Sequence, residues 1–379
     1  MYKVLVYGMT TNPGGVENII INYYRHFNHK KIKMDFIANT PEKMAYEDEL
    51  VKSNSIVYHV SSRKQNPFKY YKDMGSLFKR ISCEYDCLWA NLNSLTNITA
   101  IKLAKKNGIK RIIVHSHNSS NMDTGFIGYI RGIIHKYNKK KIADYGDEFW
   151  ACTREAAKWL YPQTILPQVH IINNAIDVSK NSFNLQKKNH LLEKYKLKDN
   201  FIIGNVGRLQ SQKNQLFLIN IFNKVQYKLP QARLILVGDG PDKNKIIKKI
   251  QELSLSDKVI MAGIQEDMQA WYSLFDLFVF PSKFEGLAVA LLEAQANGLN
   301  IFASKYVISS VVCINKNFKF ISLKDNWSSQ IIDMYIEKKI RRCCKSEIKR
   351  NFAKHGFDIN VEAVKLQEIF LKGSSTNGN

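Results

Sequence analysis

Short apolar segments alternate with helix-forming segments along almost the whole length of this 379-residue chain. Such alternation is typical of doubly wound α/β domains, in which helices connect the strands of a parallel sheet. The candidate strands of a first series are 3–7, 33–38, 56–59, 87–90, 111–114 and 148–151, followed by the apolar segment 169–172, and those of a second series are 201–207, 233–237, 258–261, 277–280 and 300–303. Two series, in a chain more than twice the length of an average domain of roughly 150 residues, predict two Rossmann-like domains.

We predict the domain boundary after Asp177. The first domain then comprises residues 1–177 and the second residues 178–357, and the polar stretch 178–200 is predicted to form the connection between them. A further helical segment, 358–372, follows. The tail 373–379 contains only Gly, Ser, Thr and Asn, a low-complexity composition that predicts disorder.

The composition limits the possible classes of protein. Hydrophobic residues make up 45% of the chain, which is enough for large cores. No apolar run approaches the ~18 residues of a membrane-spanning helix, and the N-terminal residues lead into a strand rather than a signal peptide, so we expect a cytoplasmic chain. The six cysteines match no zinc-site spacing, and we expect reduced thiols that are mostly buried.

The net charge of +23 suggests an anionic partner. Residues 1–178 hold 25 basic and 15 acidic residues, a net charge of +10, and residues 179–379 hold 31 and 18, a net charge of +13. An anionic substrate, an anionic membrane or nucleic acid could each account for this excess, as could a plain bias in composition. Because no nucleic-acid-binding motif accompanies the charge, we expect no nucleic acid partner.

Two glutamates with seven residues between them, Glu285 and Glu293, form the most informative pair in the chain. They follow the buried strand 277–280, and the segment 287–297 is predicted to be a helix that ends before Gly298. Glu285 would lie in the strand-to-helix turn, where free backbone amides bind anions, and Glu293 roughly 12 Å further along the helix. An extended ligand such as a nucleotide sugar could contact both. The alternative is a pair of surface carboxylates on an amphipathic helix.

A pair of cations follows the first strand of the second series. Arg208 and Lys213 come after the segment 204–207, Gly-Asn-Val-Gly, and precede a predicted helix. An Arg fork together with a Lys point charge suits a pyrophosphate. A solvated pair of surface charges is the alternative.

Glycine-containing turns follow other strands. Gly14 and Gly15, with Glu17, open a helix after the first strand, and Gly238 and Ile264 follow two strands of the second series. Backbone amides at such turns can approach an anion such as a phosphate closely. Each segment is equally compatible with an ordinary structural turn.

Two histidines, His115 and His117, follow the strand 111–114. Because ligands bind at the carboxyl ends of the strands in an α/β sheet, both side chains are candidates to face a ligand. Counting from the strand favours His117. A capping or hydrogen-bonded structural histidine is the alternative.

These segments together resemble the retaining glycosyltransferases of family 4, which have the GT-B fold, with two Rossmann-like domains facing across a cleft. The resemblance covers nearly the whole chain and is strongest from Gly204 to Gly298, where Pro-Ser-x-x-Glu-Gly-Leu and Leu-Leu-Glu-Ala-Gln-Ala surround the two glutamates. These sequence motifs are similar to those of bacterial exopolysaccharide and capsule enzymes. The resemblance implies that the N-terminal domain binds the acceptor, that the segment 358–372 packs back on it, and that the C-terminal domain binds the nucleotide sugar.

The resemblance also implies roles for individual residues. Arg208 and Lys213 would hold the donor diphosphate as it leaves, so we expect no metal ion and no other cofactor, and no Asp-x-Asp sequence is present. Glu285 would bind sugar hydroxyls and Glu293 the ribose, and His117 would orient the hexose. The predicted catalytic residues are Glu285, His117, Arg208 and Lys213, and the predicted substrate-binding residues are Gly14, Gly15, Glu17, His115, Arg208, Lys213, Gly238, Ile264, Glu285, Gly286, Leu287 and Glu293.

Three positions depart from the family pattern. Ala288 stands where a proline usually follows Gly-Leu, and Lys305 and Ser310 stand where relatives often place Asp and Glu. These positions bear mainly on which donor sugar is used.

The sequence therefore predicts a retaining hexosyltransferase that is independent of metal ions. Its donor would be a nucleotide sugar, with a UDP-sugar favoured, and its acceptor a saccharide, polyprenyl-linked in similar enzymes of exopolysaccharide or capsule biosynthesis. Two alternatives stay open: a nucleotide-sugar epimerase or hydrolase on the same fold, and a non-catalytic basic protein that binds a membrane surface. Donor turnover without acceptor would favour the first alternative, and salt-sensitive membrane binding without nucleotide binding the second.

Two stretches of the N-terminal domain, 66–80 and 126–141, are both basic and aromatic. In the second stretch, Phe126, Ile130, Ile133 and Ile134 form a stripe at helical spacing, with cations clustered at its far end. Such a stripe is either buried in the domain, as in an ordinary amphipathic helix, or it faces the anionic inner surface of the cell membrane.

Overall fold

The computed structural model describes residues 1–118, 125–285, 288–305 and 310–372, and its backbone divides into two compact units. The first unit contains Met1–Ala175 together with the C-terminal segment that begins at Ile359, and the second unit is Ile176–Asp358. The two positions at which the second unit begins and ends lie side by side, because Ile176 and Asp358 form a parallel bridge.

Each unit is built around one parallel sheet. The strands of the first sheet are β1 (Tyr2–Tyr7), β2 (Ile32–Ala38), β3 (Val57–His59), β4 (Cys87–Leu92), β5 (Arg111–Ser116), β6 (Glu148–Ala151) and β7 (His170–Ile171), and those of the second are β8 (Phe201–Val206), β9 (Ala232–Val237), β10 (Val259–Gly263), β11 (Leu277–Phe280), β12 (Asn300–Ser304) and β13 (Phe318–Ile321). The helices are α1 (Gly15–His26), α2 (Glu47–Lys52), α3 (Pro67–Ile81), α4 (Thr99–Lys106), α5 (Gly125–Lys141), α6 (Arg154–Leu160), α7 (Val178–Asn181), α8 (Leu185–Lys194), α9 (Gln215–Lys228), α10 (Lys243–Glu252), α11 (Met268–Leu274), α12 (Val289–Ala296), α13 (Trp327–Ile336), α14 (Lys345–His355) and α15 (Ile359–Lys372).

The two sheets share a strand order. The first runs β3-β2-β1-β4-β5-β6-β7 and the second β10-β9-β8-β11-β12-β13. The order of strands reverses between β1 and β4 in the first unit and between β8 and β11 in the second. At such switch points the loops leave a crevice at the carboxyl ends of the strands, where α/β sheets bind ligands. The prediction of two Rossmann-like α/β domains is confirmed.

Each sheet has a hydrophobic core on both faces. Val4 and Val6 of β1 belong to one core of the first unit, and Leu5 and Tyr7 belong to the other. In the second unit β11, with the sequence Leu-Phe-Val-Phe, is buried at every position. A continuous apolar strand is what a parallel sheet covered on both faces requires, which is why these strands are visible in the sequence.

The last helix, α15, packs in the first unit. Its Phe370 is buried against Trp89 and Trp150, with ring centroids 5.6 and 5.3 Å away. The Arg111 guanidinium donates hydrogen bonds to the carbonyl oxygens of Ile369 and Phe370, at 3.0 and 2.7 Å. These bonds satisfy carbonyls that a helix end leaves without partners.

Three details differ from the sequence predictions. The polar stretch 178–200 is not a simple connection, because it forms α7 and α8, and Leu191 and Leu197 join the core of the second unit. The edge strand β13 was not predicted, since its Phe-Lys-Phe-Ile sequence is short, contains a lysine and is well buried only at its first and last residues. The cysteines are all free, but the expectation that most are buried is wrong: only Cys87 and Cys152 are fully buried.

Candidate active site

The loops that follow β8 and β11 are tied together at the switch point of the second unit. The Lys283 amide donates a hydrogen bond to the Gln212 carbonyl oxygen at 2.8 Å, and Gln212 Nε2 donates to the Phe284 carbonyl oxygen at 2.9 Å. Asn214, in a left-handed conformation with φ of 60° just before α9, donates from Nδ2 to the Pro281 carbonyl oxygen at 3.1 Å. The bonds fix the loop that carries the predicted cations against the loop that carries the first glutamate.

This arrangement brings Lys213 and Glu285 into contact. Lys213 Nζ lies 2.8 Å from Glu285 Oε1, and the two side chains are 16% and 6% exposed. The ammonium also lies 4.8 Å from the centre of the Phe280 ring. A cation and a carboxylate in such a sheltered place attract each other more strongly than on the surface.

Arg208 lies in the same turn and is exposed. Its carbonyl oxygen accepts a hydrogen bond from Gln215 Nε2 at 3.2 Å, whereas its guanidinium has no hydrogen-bond partner in the part of the chain that the structure describes. The five donors of this side chain can therefore bind an anion without breaking a described contact.

The glycines of this edge allow the strand ends to approach closely. Gly207 and Gly238 have φ of 152° and 134°, and a Cβ atom at Gly238 would lie only 2.2 Å from the Gly207 carbonyl oxygen. The Gly238 amide donates to the Gly263 carbonyl oxygen at 2.8 Å. The turn after β9 therefore contacts both the turn after β8 and the end of β10. Ile264 follows and is 79% exposed.

Glu293 lies on α12, and its carboxyl group is largely enclosed by protein although the residue keeps some exposure. Burial raises the pKa of Glu293 to about 7, and the hydrogen bond that Tyr272 Oη donates to Oε2 at 2.8 Å opposes this rise. The carboxyl group can therefore change its protonation state near neutral pH. Gly298 ends the segment with φ of 83°, as predicted for the residue after a helix.

Of the residues predicted for the second unit, five lie at the carboxyl edge of its sheet: Arg208, Lys213, Gly238, Ile264 and Glu285. Glu293 lies on α12, the helix that follows the loop after β11. Gly286 and Leu287 lie outside the described residues. Tyr272, the partner of Glu293, was missed, because in the sequence it reads as one more core aromatic residue of α11.

The glycine turn of the first unit lies where it was predicted, between β1 and α1. Gly14 is the residue before the helix, and no described atom would lie within 4 Å of a Cβ at Gly15. Glu17 is buried, and its Oε1 accepts hydrogen bonds from the amide and the hydroxyl of Thr10, both at 2.9 Å. Glu17 thus fixes the loop to the first turn of α1.

The two histidines lie next to the switch point of the first unit. Trp89 Nε1 donates to His115 Nδ1 at 3.3 Å, and the rings of His115 and His117 are 4.1 Å apart. Burial, with a smaller contribution from His117, holds the pKa of His115 well below its usual value, and burial lowers the pKa of His117 to about 3. Both imidazoles are therefore neutral at physiological pH.

Asn91 fixes the tautomer of His117. Because β4 and β5 pair in register, Asn91 lies beside the end of β5, and its Oδ1 is 2.9 Å from His117 Nε2. An amide oxygen can only accept, so Nε2 carries the proton and Nδ1 is an acceptor. This buried Nδ1 has no partner among the described residues, so it can accept a hydrogen bond from a hydroxyl group. Asn91 was missed, because it is 26 residues from His117 in the sequence.

Three residues depart from the family pattern, and the structure describes the surroundings of two of them. Ala288 is buried just before α12 with φ of −77°, a value that proline also adopts. The Lys305 amide donates to the Ile321 carbonyl oxygen at 2.9 Å, in the register of β12 and β13. The side chain of Ser310 lies outside what the structure describes.

Two negative findings apply to the described ranges. The described residues contain no cluster of three or more His, Cys, Asp or Glu side chains that could hold a metal ion. No helix within those ranges combines the length and the apolar character needed to cross a bilayer.

Comparison with known proteins gives the chain its family. Residues 13–180 match the model "Glycosyltransferase Family 4" and residues 187–351 match "Glycosyl transferases group 1". The glycosyltransferase EpsF of Bacillus subtilis is 28% identical over 368 residues, which cover 95% of this chain and 94% of EpsF. The UDP-Gal:alpha-D-GlcNAc-diphosphoundecaprenol alpha-1,3-galactosyltransferase of Escherichia coli is 25% identical, over 90% of this chain and 97% of that protein.

Solved structures agree on the fold. The structure of Anabaena HepE in complex with UDP superposes with a TM-score of 0.79, at 16% identity, over 98% of this chain and 100% of that chain. The Rickettsia africae glycosyltransferase superposes with a TM-score of 0.77, at 17% identity, over 100% and 99% of the two chains. Since the two family models match one region in each unit and the fold agrees along the whole chain, this protein belongs to the family 4 glycosyltransferases and has the GT-B fold.

Proposed function

We propose that this glycosyltransferase is a retaining hexosyltransferase that uses a UDP-sugar as donor. The observation that carries the proposal is the position of two cations in the loop after β8, at the carboxyl edge of a doubly wound sheet. Lys213 is sheltered and pairs with Glu285, and Arg208 is exposed, with a guanidinium that has no partner among the described residues. Diphosphates bind at such edges. UDP is the ligand of HepE, and the Escherichia coli relative is named as using UDP-Gal.

The acceptor that we propose is a saccharide carried on a polyprenyl diphosphate. Relatives from Escherichia coli and Campylobacter jejuni are both named for diphosphoundecaprenol-linked substrates, and a Staphylococcus aureus relative for capsular polysaccharide biosynthesis. A role in exopolysaccharide or capsule biosynthesis follows, in the cytoplasm at the inner face of the cell membrane, where lipid-linked acceptors are built.

In the proposed reaction the acceptor oxygen attacks C1 of the donor sugar on the face that the diphosphate leaves. The bond from C1 to the β-phosphate oxygen breaks with its electron pair, the new C1–O bond forms, and the acceptor proton passes to the leaving phosphate. Arg208 and Lys213 stabilise the negative charge that develops on the diphosphate. Because these two cations do this, we propose that the reaction needs no divalent metal ion.

The other predicted roles are part of the same proposal. Glu285 accepts hydrogen bonds from sugar hydroxyls, and Glu293 binds the ribose. His117, through its neutral Nδ1, accepts a hydrogen bond from a hydroxyl of the hexose.

A ligand panel tests the proposal. UDP at 100 times its dissociation constant should add about 2.7 kcal/mol to the free energy of unfolding, and EDTA should not change this effect. Lys213→Ala should lose most of the shift, whereas the control Lys228→Ala, on the exposed side of α9, should keep it. No shift with any nucleoside diphosphate at millimolar concentration would refute the proposal.

The stereochemistry and the reaction type are tested separately. A product whose glycosidic bond has the anomeric configuration of the donor, read by proton NMR, is expected, and an inverted product contradicts the retaining mechanism. Donor consumption at full rate without acceptor would point to a hydrolase or epimerase instead.

A further inference from the structure

The helix α5 is turned with its apolar side outward. Its buried residues are Gly128, His135 and Asn138, whereas the large apolar residues on the other side are all exposed. The exposed fractions are 77% for Phe126, 63% for Ile127, 69% for Tyr129, 42% for Ile130, 52% for Ile133, 40% for Ile134 and 56% for Tyr137. The stripe that the sequence left open as either buried or exposed is therefore exposed.

Hydrogen bonds hold α5 in this orientation. His135 Nδ1 accepts from the Leu95 amide at 3.1 Å and its Nε2 donates to the Trp159 carbonyl oxygen at 3.1 Å. Asn138 Nδ2 donates to the Leu95 carbonyl oxygen at 2.7 Å. Rotating the helix to bury its isoleucines would leave these buried polar groups without partners, which is costly.

The surface around the apolar side of α5 is positively charged. Along α5 there are five basic residues and no acidic residue: Arg131, Lys136, Lys139, Lys140 and Lys141. A second copy of this chain on the same face would bring like charges together, whereas an anionic partner would match them. Contiguous exposed apolar surface of this kind marks a site of interaction.

An open cavity of about 490 Å³ joins this surface to α3. Tyr71 of α3 and Ile134 of α5, both partly exposed, line its sides, and Thr99 lines it at the first turn of α4. Its cations are Arg63 and Lys102, and its described lining contains no carboxylate. Phe68, one turn before Tyr71 on α3, is 89% exposed. The cavity therefore combines an anion-binding composition with apolar walls.

We propose that α5 and the first turns of α3 form a lipid-docking surface for an anionic bilayer, and that the Arg63–Lys102 cavity receives a lipid phosphate group. Apolar side chains enter the acyl region while the surrounding cations contact headgroups. The proposal deepens the proposed function, on which it rests, because a lipid-linked acceptor would reach the enzyme from this surface.

Co-sedimentation of the full chain with vesicles tests the surface. Binding should be strong to vesicles of phosphatidylcholine and phosphatidylglycerol in equal parts, weak to phosphatidylcholine alone, and reversed by salt. The double variant Phe126→Ser, Ile133→Ser should bind anionic vesicles about tenfold more weakly or worse. The control double variant Tyr227→Ser, Ile336→Ser, which removes residues that are 74% and 65% exposed in the second unit, should bind as the wild type does.

The cavity is tested with a lipid that exposes a terminal phosphate. Vesicles with phosphatidic acid in place of phosphatidylglycerol should bind the wild type more tightly, and Arg63→Gln, Lys102→Gln should lose this preference. The control Lys228→Gln, Lys248→Gln, which removes the same charge from the second unit, should keep it. A cavity variant that still prefers phosphatidic acid would overturn the assignment of the phosphate.

Three results would overturn the docking surface: equal binding to neutral and anionic vesicles, no binding to anionic vesicles at low salt, or unchanged binding of the Phe126→Ser, Ile133→Ser variant. A concentration-dependent dimer that this variant abolishes would assign the face to a second copy. The UDP-induced thermal shift is measured on the same samples. A normal UDP-induced shift without vesicle binding refutes only the proposed docking surface. A missing shift in the wild type counts against the proposed function instead.

Discussion

Lys213 has two possible partners in the proposed reaction. Its ammonium pairs with Glu285 at 2.8 Å, and a bound diphosphate would compete for the same ammonium. When the diphosphate takes over this cation, the Glu285 carboxylate becomes available to hydroxyls of the sugar. One binding event would therefore both neutralise the diphosphate and free an acceptor for the sugar.

Substitutions at these residues should separate binding from turnover. Lys213→Ala and Glu293→Ala should weaken donor binding, because phosphate and ribose contacts persist through the reaction. Glu285→Ala should mainly lower kcat, since contacts with the sugar ring can tighten as the glycosidic bond breaks. Calorimetric titration with UDP and steady-state kinetics measure the two effects, and wild-type kcat in Glu285→Ala would remove this residue from the catalytic set.

The Glu293 carboxyl group should make stability depend on pH. Its pKa rises from 4.5 to about 7 in the folded protein, so the folded state binds the proton more tightly than the unfolded chain does. The resulting stabilisation is complete below pH 4.5 and is lost as the pH rises through about 7. Relative to Glu293→Gln, the wild-type free energy of unfolding should fall by about 1–3 kcal/mol across this window.

Urea unfolding followed by circular dichroism, at several pH values, measures this difference. Glu266→Gln, which changes an exposed carboxylate of the same unit, is the control and should keep the wild-type dependence. Parallel curves for the wild type and Glu293→Gln from pH 4.5 to 7 would show that the carboxyl group is not shielded as described.

At the scale of strands and helices, the features that the sequence predicted are those that a local pattern of apolar residues determines. β11 is a continuous apolar run and was predicted with its observed bounds. The orientation of α5 was not predictable, because a stripe of apolar residues defines a face but not the direction in which it points. That direction depends on the bonds of His135 and Asn138 to Leu95 and Trp159, which are distant in sequence. The contact of Lys213 with Glu285 became visible only once β8 was placed beside β11.

The turn at Gly238 should tolerate no side chain. In Gly238→Ala the new Cβ would meet the Gly207 carbonyl oxygen, and φ of 134° is unfavourable for alanine. The loss of stability should be at least ~2 kcal/mol, with weaker UDP binding. Gly75→Ala is the control within a helix, where the Cβ meets nothing within 4 Å. It should stabilise the protein by about 0.5–1 kcal/mol. Equal effects of the two variants in urea unfolding would contradict the close approach of the strand ends.

At the scale of the whole molecule, each unit has its own cores and its own switch point. The Rossmann-like fold of each unit could be predicted from the sequence because strands and helices alternate regularly in both series of candidate strands. The helices α7 and α8 were missed because the segment is mostly polar, and few residues, among them Val178, Leu191 and Leu197, mark its buried side.

The contribution of α15 should be confined to the first unit. Phe370→Ala removes a fully buried ring and should cost about 3–5 kcal/mol there. Val364→Ala, at a position on the same helix that is 55% exposed, should change stability by less than about 0.5 kcal/mol. Hydrogen exchange should show faster exchange of β4, β5 and β6 amides in Phe370→Ala, and unchanged β8 and β9. Faster exchange in both sheets would contradict this confinement.

The order of the units along the chain has a consequence for biosynthesis. Residues 176–358 are inserted between the two parts of the first unit, and a chain leaves the ribosome from its N-terminus. The first unit therefore emerges early but lacks α15 until the inserted unit has been synthesised, so Trp89 and Trp150 lack their contact with Phe370 on the nascent chain until then. The inserted unit, although second in sequence, is the first that can complete its cores, and the earlier-made part of the first unit exposes apolar surface for longer.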